Sequence, residues 1–189
     1  MNKVIFSVAA SLLLVSGLSA VSFKQDSLKI GFEGYKTKEM VGVSGEFKDV
    51  KYKFSKNTQD LANYLKGAKA TIKPSSAFMG EGLDAITDNI TKVFFPNLLG
   101  NSDIKVLFQD VVMGENKGVI SAKITIDKKS TLVPLSYTIE NNKFVAKGQL
   151  DLHTFKNGSK ALKALSDVAA GHGGISWPLV DITFSADVE

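Results

Sequence analysis

The chain has 189 residues, 44% hydrophobic and 22% charged, with 23 basic against 19 acidic side chains and a net charge of +4. These are ordinary globular proportions, enough for one well-buried domain, and they argue against disorder and against a polytopic membrane protein. There is no cysteine, which excludes a disulfide scaffold, a thiol nucleophile, a zinc ribbon and a lipidated N-terminal cysteine. Every basic side chain is a lysine. Without arginine the chain lacks the bidentate fork that reads guanine and phosphate, so the basic balance is that of a lysine surface and nucleic acid is not an expected partner.

Lys3 precedes an uncharged run over residues 4–18, and Leu18-Ser19-Ala20 supplies small residues for cleavage. This is the three-part pattern of a secretory signal peptide. The run is short of the roughly 20 apolar residues that span a bilayer, so cleavage after Ala20 is expected rather than anchoring. The expectation is therefore a leader at 1–20, a single β domain at 21–189, export to the periplasm, and no membrane span once the leader is removed.

Beyond the leader, apolar residues recur with period two. The pattern predicts strands through Leu28, Ile30 and Phe32; through Val41, Val43, Gly45 and Phe47; and, in shifted parity, through Val50, Tyr52 and Phe54. A bulge or turn at Lys48-Asp49 accounts for the shift. Further strands follow at Ala68–Ile72, at Ile104, Val106 and Phe108, and at Ile120 to Ile126 after the glycine-flanked turn at 114–118. Val133 to Ile139, Phe144 to Leu152 beyond the Asn141-Asn142 turn, and Val180 to Ala186 complete the set. Each has one apolar and one polar face, as antiparallel sheet requires.

Two stretches break this rhythm. Leu83, Ile86, Ile90, Val93 and Phe94 form one helical stripe, with a start at Gly82 or Asp84 and a stop at Pro96. Leu162, Leu165 and Val168 form another over about 159–170, and Leu61, Tyr64 and Leu65 give residues 56–67 helical character. The predicted fold is all-β, a closed antiparallel up-and-down barrel of about eight strands with one or two short lateral helices. Closure hides apolar faces and edges together. A barrel of that size either fills its interior with side chains or holds one slender ligand, and periodicity alone does not choose.

Catalytic and metal patterns are thin. His153 and His172 have no partner carboxylate at helical spacing, so no metal is expected. Gly42-Val43-Ser44-Gly45-Glu46 fails the nucleophile-elbow pattern at its fifth place. Lysines 48, 51, 53 and 56 alternate with Tyr52 and Phe54, but lysines and aromatics fall on opposite strand faces and cannot jointly grip a nucleic-acid strand. With no nucleophile–base pair to name, the expectation is a non-enzymatic protein.

A set of short motifs carries a family resemblance: Gly31-Phe32-Glu33-Gly34-Tyr35-Lys36, Val41 to Phe47, Ala70-Thr71-Ile72-Lys73-Pro74-Ser75-Ser76 and Asp88 to Pro96. Pro134 to Thr138, Val145 to Gly148 and Trp177 to Phe184 follow in order. Over nearly all of residues 23–188 the chain resembles the YceI family of lipocalin-like, polyisoprenoid-binding periplasmic proteins. The resemblance implies a barrel with a lateral helix around an elongated apolar tunnel for an isoprenoid quinone or a similar long-chain amphiphile. It departs at two places: Met79-Gly80 stands for the family's Thr-Gly after the double serine, and Thr87-Asp88 for its Arg-Asp.

The function expected is a periplasmic carrier of such a lipid, with no cofactor beyond a bound isoprenoid or fatty-acid-like molecule. The alternative is a solid-core secreted barrel acting through its surface in stress response or adhesion. Candidate ligand-lining residues are Phe32, Val43, Phe47, Ile72, Phe78, Phe94, Phe95, Ile104, Val106, Phe108, Leu135, Tyr137, Ile139, Phe155 and Trp177. Tyr137 and Trp177 carry polar handles suited to a head group at the mouth. The partner expected is the lipid itself, with a homodimer an open alternative.

Overall fold

Alternating side chains build one antiparallel sheet whose inward faces share a single core. The computed structural model describes residues 21–189; the leader assigned to residues 1–20 lies outside the described residues. In chain order the elements are β1 (Lys29–Lys36), β2 (Val41–Phe47), β3 (Val50–Lys53), α1 (Leu61–Leu65), β4 (Lys69–Ile72) and β5 (Ala77–Phe78). Then come α2 (Asp84–Asp88), a π-helical segment (Asn89–Phe94), α3 (Phe95–Leu99), β6 (Ile104–Met113), β7 (Lys117–Ile126) and β8 (Lys129–Glu140). The chain ends with β9 (Lys143–Asp151), α4 (Gly158–Val168) and β10 (Ser176–Asp187).

The sheet has ten strands in the order β3-β4-β6-β7-β8-β9-β10-β1-β2-β5. The strand count expected was about eight, in a closed barrel. Here, among the described residues, no ladder joins the two edges, and the sheet is a curled, open one. The reason lies at Lys48-Asp49, where the chain leaves one edge of the sheet and enters the other. Strands β2 and β3 are consecutive but unpaired: β2 pairs with β1 and the two-residue β5, and β3 pairs only with β4. Backbone hydrogen bonds from Lys48 N to Ser76 O (3.1 Å) and from Lys73 N to Asp49 O (3.1 Å) stitch the crossing.

Strand β8 shows how the sequence dictates the wall. Val133, Leu135 and Tyr137 are buried while Pro134, Ser136 and Thr138 are exposed. The tight turns on either side have positive φ at both central residues, Asp127 and Lys128 (43° and 67°) and Asn141 and Asn142 (50° and 60°), matching the right-handed twist of the hairpins they close. One end of the interior is filled largely by aromatic rings. Phe23 packs at 5.4 Å from Tyr64, 5.0 Å from Phe144 and 5.7 Å from Phe184 between ring centres, and Tyr64 Oη accepts the Phe23 amide at 3.3 Å.

At the other end a helical layer covers the sheet. The segment 84–99 runs through Pro96 instead of stopping there. Just before the proline the helix widens to π geometry, the Phe95 amide donating to Ile90 O five residues back. A wider turn accommodates the pyrrolidine ring, which in a regular α-helix clashes with the carbonyl one turn earlier. Asn97 Nδ2 donates to Val93 O at 2.9 Å, using a carbonyl beside the disrupted turn. Helix α4 buries Ala161, Leu162 and Leu165 against this layer. Its Gly158 is obligatory: a Cβ there would stand 1.9 Å from Leu152 O.

Candidate functional site

The burial pattern changes where the helical layer meets the sheet. Strand β8 alternates cleanly between buried and exposed, but β1 and β10 are half-buried along most of their length, on both faces. Their inward side chains face a cavity rather than packed neighbours. It has a volume of about 310 Å³, within the range of small-molecule sites. Ile30, Phe32, Val180 and Ile182 line it from β1 and β10; Val43 and Phe47 from β2; Ile72, Ile104, Val106, Ile124 and Ile126 from β4, β6 and β7. Ile86, Ile90, Phe94, Phe95 and Leu98 come from the 84–99 helix, and Leu162 and Leu165 from α4. Gly34 adds space by lacking a side chain: nothing lies within 4 Å of where its Cβ would stand.

The lining is largely apolar; besides Tyr35 of β1 and Asn89 of the π-helical segment, its polar residues gather at one end. There the exposed residues Ala170 and Gly171 mark the opening, and Lys36, His172, Ser176 and Trp177 gather beside them. Backbone pairing explains the grouping. Lys36 sits directly opposite Ser176 across the β1–β10 ladder, which places both side chains on the inward face. The register shifts between Gly34 and Lys36, leaving Trp177 to Leu179 of β10 as a bulge that tolerates Pro178 inside a strand. Ser176 Oγ lies 2.8 Å from His172 Nδ1 and 2.8 Å from Ser166 Oγ, tying the 170–172 turn and α4 to the strand. Burial and, secondarily, the Lys36 charge hold the His172 imidazole below its usual pKa, a backbone hydrogen bond involving Ile175 partly opposing them. Trp177 Nε1 donates to Thr37 O at 2.7 Å.

A second apolar cavity of about 60 Å³ lies deeper, lined by Tyr52, Phe54, Ala70, Phe108, Leu135 and Phe184 among others. Ile30, Val106, Ile124 and Ile182 border both cavities and form a collar between them. Among the described residues no group of three or more histidine or carboxylate side chains could hold a metal, and no helix is long and apolar enough to cross a membrane.

No protein-family model and no curated protein matches the chain. Solved structures do. Burkholderia cenocepacia BcnA, 17% identical, superposes with a TM-score of 0.55 over 89% of this chain and 99% of its own. The Campylobacter jejuni YceI protein, also 17% identical, superposes with a TM-score of 0.53 over 80% of this chain and 88% of its own. The fold is YceI-like. Within it the two departures from the family pattern touch one another: the Met79 amide donates to Thr87 Oγ1 at 3.2 Å, and the buried Met79 side chain lines the large cavity.

In this YceI-like frame the residues selected from sequence separate into three groups. Phe32, Val43, Phe47, Ile72, Phe94, Phe95, Ile104, Val106 and Trp177 line the large cavity. Phe108 and Leu135 face the small one. Phe78, Tyr137, Ile139 and Phe155 line neither. Phe78 lies on the two-residue edge strand under Lys48, whose Nζ is 4.9 Å from the ring centre. Phe155 is buried core, and Ile139 packs partly buried against that core. Tyr137 is not at the mouth: it is 1% exposed and stacked 5.0 Å from Phe144, and its hydroxyl has no hydrogen-bond partner among the described residues. Nor is the Trp177 handle free, since the Thr37 carbonyl uses it. The mouth residues that sequence reading missed, Lys36 and Ser176, lie on the inward parity of strands whose other inward residues are apolar or glycine. His172 was seen only as a loop histidine among glycines; the β10 bulge that folds its turn over the opening leaves no mark in hydrophobic periodicity.

Proposed function

We propose that the protein is a non-enzymatic periplasmic carrier for an amphiphile with one long apolar chain, an isoprenoid quinone or a lipid of similar shape. The observation that carries this reading is the large cavity itself: walls that are mostly apolar, with a polar group at the rim. Each methylene of a chain buried there gains about 0.8 kcal/mol, so chain length supplies affinity and the rim supplies orientation. The leader pattern at residues 1–20 supports export. The YceI-like fold is consistent with the reading without naming a ligand.

Solvent extraction of protein purified from secreting cells, followed by mass spectrometry, tests it. The expected extract holds one dominant long-chain species in near-stoichiometric amount. Gly34→Leu provides the control, because the Cβ it adds meets nothing within 4 Å and its side chain extends into cavity space. That variant should fold normally and lose the extracted lipid. An empty extract from folded wild type, or unchanged lipid content in Gly34→Leu, favours a barrel that acts through its outer surface.

A further inference from the structure

The rim carries a charge that the apolar cavity does not need. Of the described lysines, all but Lys36 and Lys123 are exposed, and only Lys36 lines the large cavity. Lys123 sits opposite Leu107 and Leu132 on the outward parity of β7. Five other lysines pair with carboxylates on the outer surface, whereas no carboxylate of the described residues stands within ion-pair distance of Lys36. The ammonium lies beside Gly171 at the opening: Nζ is 3.3 Å from where a Gly171 Cβ would stand, so a side chain at 171 would crowd it. Ser176 faces it across the ladder, and His172 lies close enough to feel its charge.

A cation at the rim of an apolar cavity, with no carboxylate of the described residues in ion-pair distance, is open to an opposite charge that arrives with the ligand. We infer that Lys36, with Ser176 and His172 beside it, is a head-group site selecting amphiphiles whose single chain ends in an anion, a carboxylate or a phosphate. The inference rests on the carrier reading above and narrows it. The chain enters toward the Ile30–Val106–Ile124–Ile182 collar, and the anion stops at Lys36. A neutral head group of the same chain length buries the same apolar surface but leaves the ammonium without its counter-charge.

The test uses processed, delipidated protein and displacement of the neutral fluorophore N-phenyl-1-naphthylamine by palmitate, hexadecyl phosphate and hexadecan-1-ol. In wild type at least one anion should bind about 10- to 100-fold more tightly than the alcohol, the range of one charge-assisted hydrogen bond. Which anion shows the larger gain identifies the head group as carboxylate or phosphate. Lys36→Met should close the gap by weakening the anions far more than the alcohol, and retained binding of N-phenyl-1-naphthylamine reports that the cavity is intact. Lys36→Arg should preserve it. Equal binding of anions and alcohol in wild type overturns the head-group site and leaves the carrier reading standing, as does a gap that survives in Lys36→Met. Failure of all three compounds to displace the fluorophore from folded wild type overturns both.

Discussion

Replacing the same residue type at the two ends of the interior separates a packed wall from a hollow one. Phe144 is fully buried, with ring centres of Phe23 and Tyr137 each at 5.0 Å and Phe184 at 5.8 Å. Phe144→Ala therefore opens an isolated void in a closed aromatic cluster and should cost about 3–5 kcal/mol. Phe32 is half-buried, with Phe47 at 5.0 Å and Phe95 at 6.5 Å, and it borders space that is already empty. Phe32→Ala loses partial burial without creating a separate cavity, and about 1–2 kcal/mol is expected, below the value for a fully buried side chain. Urea unfolding of delipidated protein measures both, with an unchanged slope confirming that the midpoint shift is stability. For a chain of this size Phe144→Ala corresponds to a Tm loss of roughly 6–20 °C. Lipid should raise wild-type stability by mass action and raise it less in Phe32→Ala. Equal losses for the two variants in delipidated protein would refute the hollow wall and show a core packed at both ends.

Tyr137→Phe should leave stability unchanged or raise it by up to about 1 kcal/mol, because it removes a buried hydroxyl without a partner; a loss above that in thermal unfolding would reveal a hydrogen bond worth keeping. Burial pushes Tyr52 up to about 12 from an ordinary 10. The folded state thus holds a proton that the unfolded state releases, so stability should fall as pH rises from about 10 to about 12. Tyr52→Phe should flatten that slope relative to wild type in alkaline denaturation, and an identical slope would count against the burial argument. His172 has the opposite sign. Its depressed pKa makes the unfolded state the better proton binder below about 6.5, so stability should decline on acidification, and less so in His172→Gln. N-terminal sequencing of protein made in a secreting bacterium should begin near Val21, and an intact Met1 in the membrane fraction would indicate an anchor.

Strand faces were legible because a side chain that repeats every second residue must either meet the core or meet water. Val133, Leu135 and Tyr137 show this without exception, as does the Asn141-Asn142 turn, whose residues tolerate positive φ. What escaped the sequence depends on partners far along the chain. Parity shifts at Lys48-Asp49 for two reasons that look the same locally, a bulge within a pair or a jump between opposite sheet edges, and only pairing distinguishes them. Ala77–Phe78 is too short to show any period. Pro96 reads as a helix stop by local rules, but the π turn at Asn89–Phe94 lets the helix pass it. Apolar residues in general could be assigned inward; whether inward meant core or cavity could not. Phe144 and Phe32 obey the same alternation and face different surroundings.

The hollow end follows from particular small or displaced residues rather than from an absence of large ones. Gly45 allows Phe32 and Met79 to lie flat against β2, where a Cβ would meet Phe32 Cζ at 2.7 Å and Met79 Sδ at 2.6 Å, so both side chains are drawn to the wall. Gly34 then leaves open the adjacent inward position of β1. The β10 bulge displaces Trp177 toward the Thr37 carbonyl, and its ring joins the cavity wall beside the rim. Helix widening before Pro96 carries the stripe onward so that Phe95 and Leu98 cover the space together with Leu162 and Leu165 of α4. A glycine pair and a strand bulge hold the wall back, and a widened helix spans the gap. At the other end the aromatic side chains Phe23, Phe144 and Phe184 occupy most of the corresponding volume, leaving only the small cavity. The chain thus retains at one end of a single sheet the space it mostly fills at the other, and among the described residues Lys36 is the one lysine that lines it.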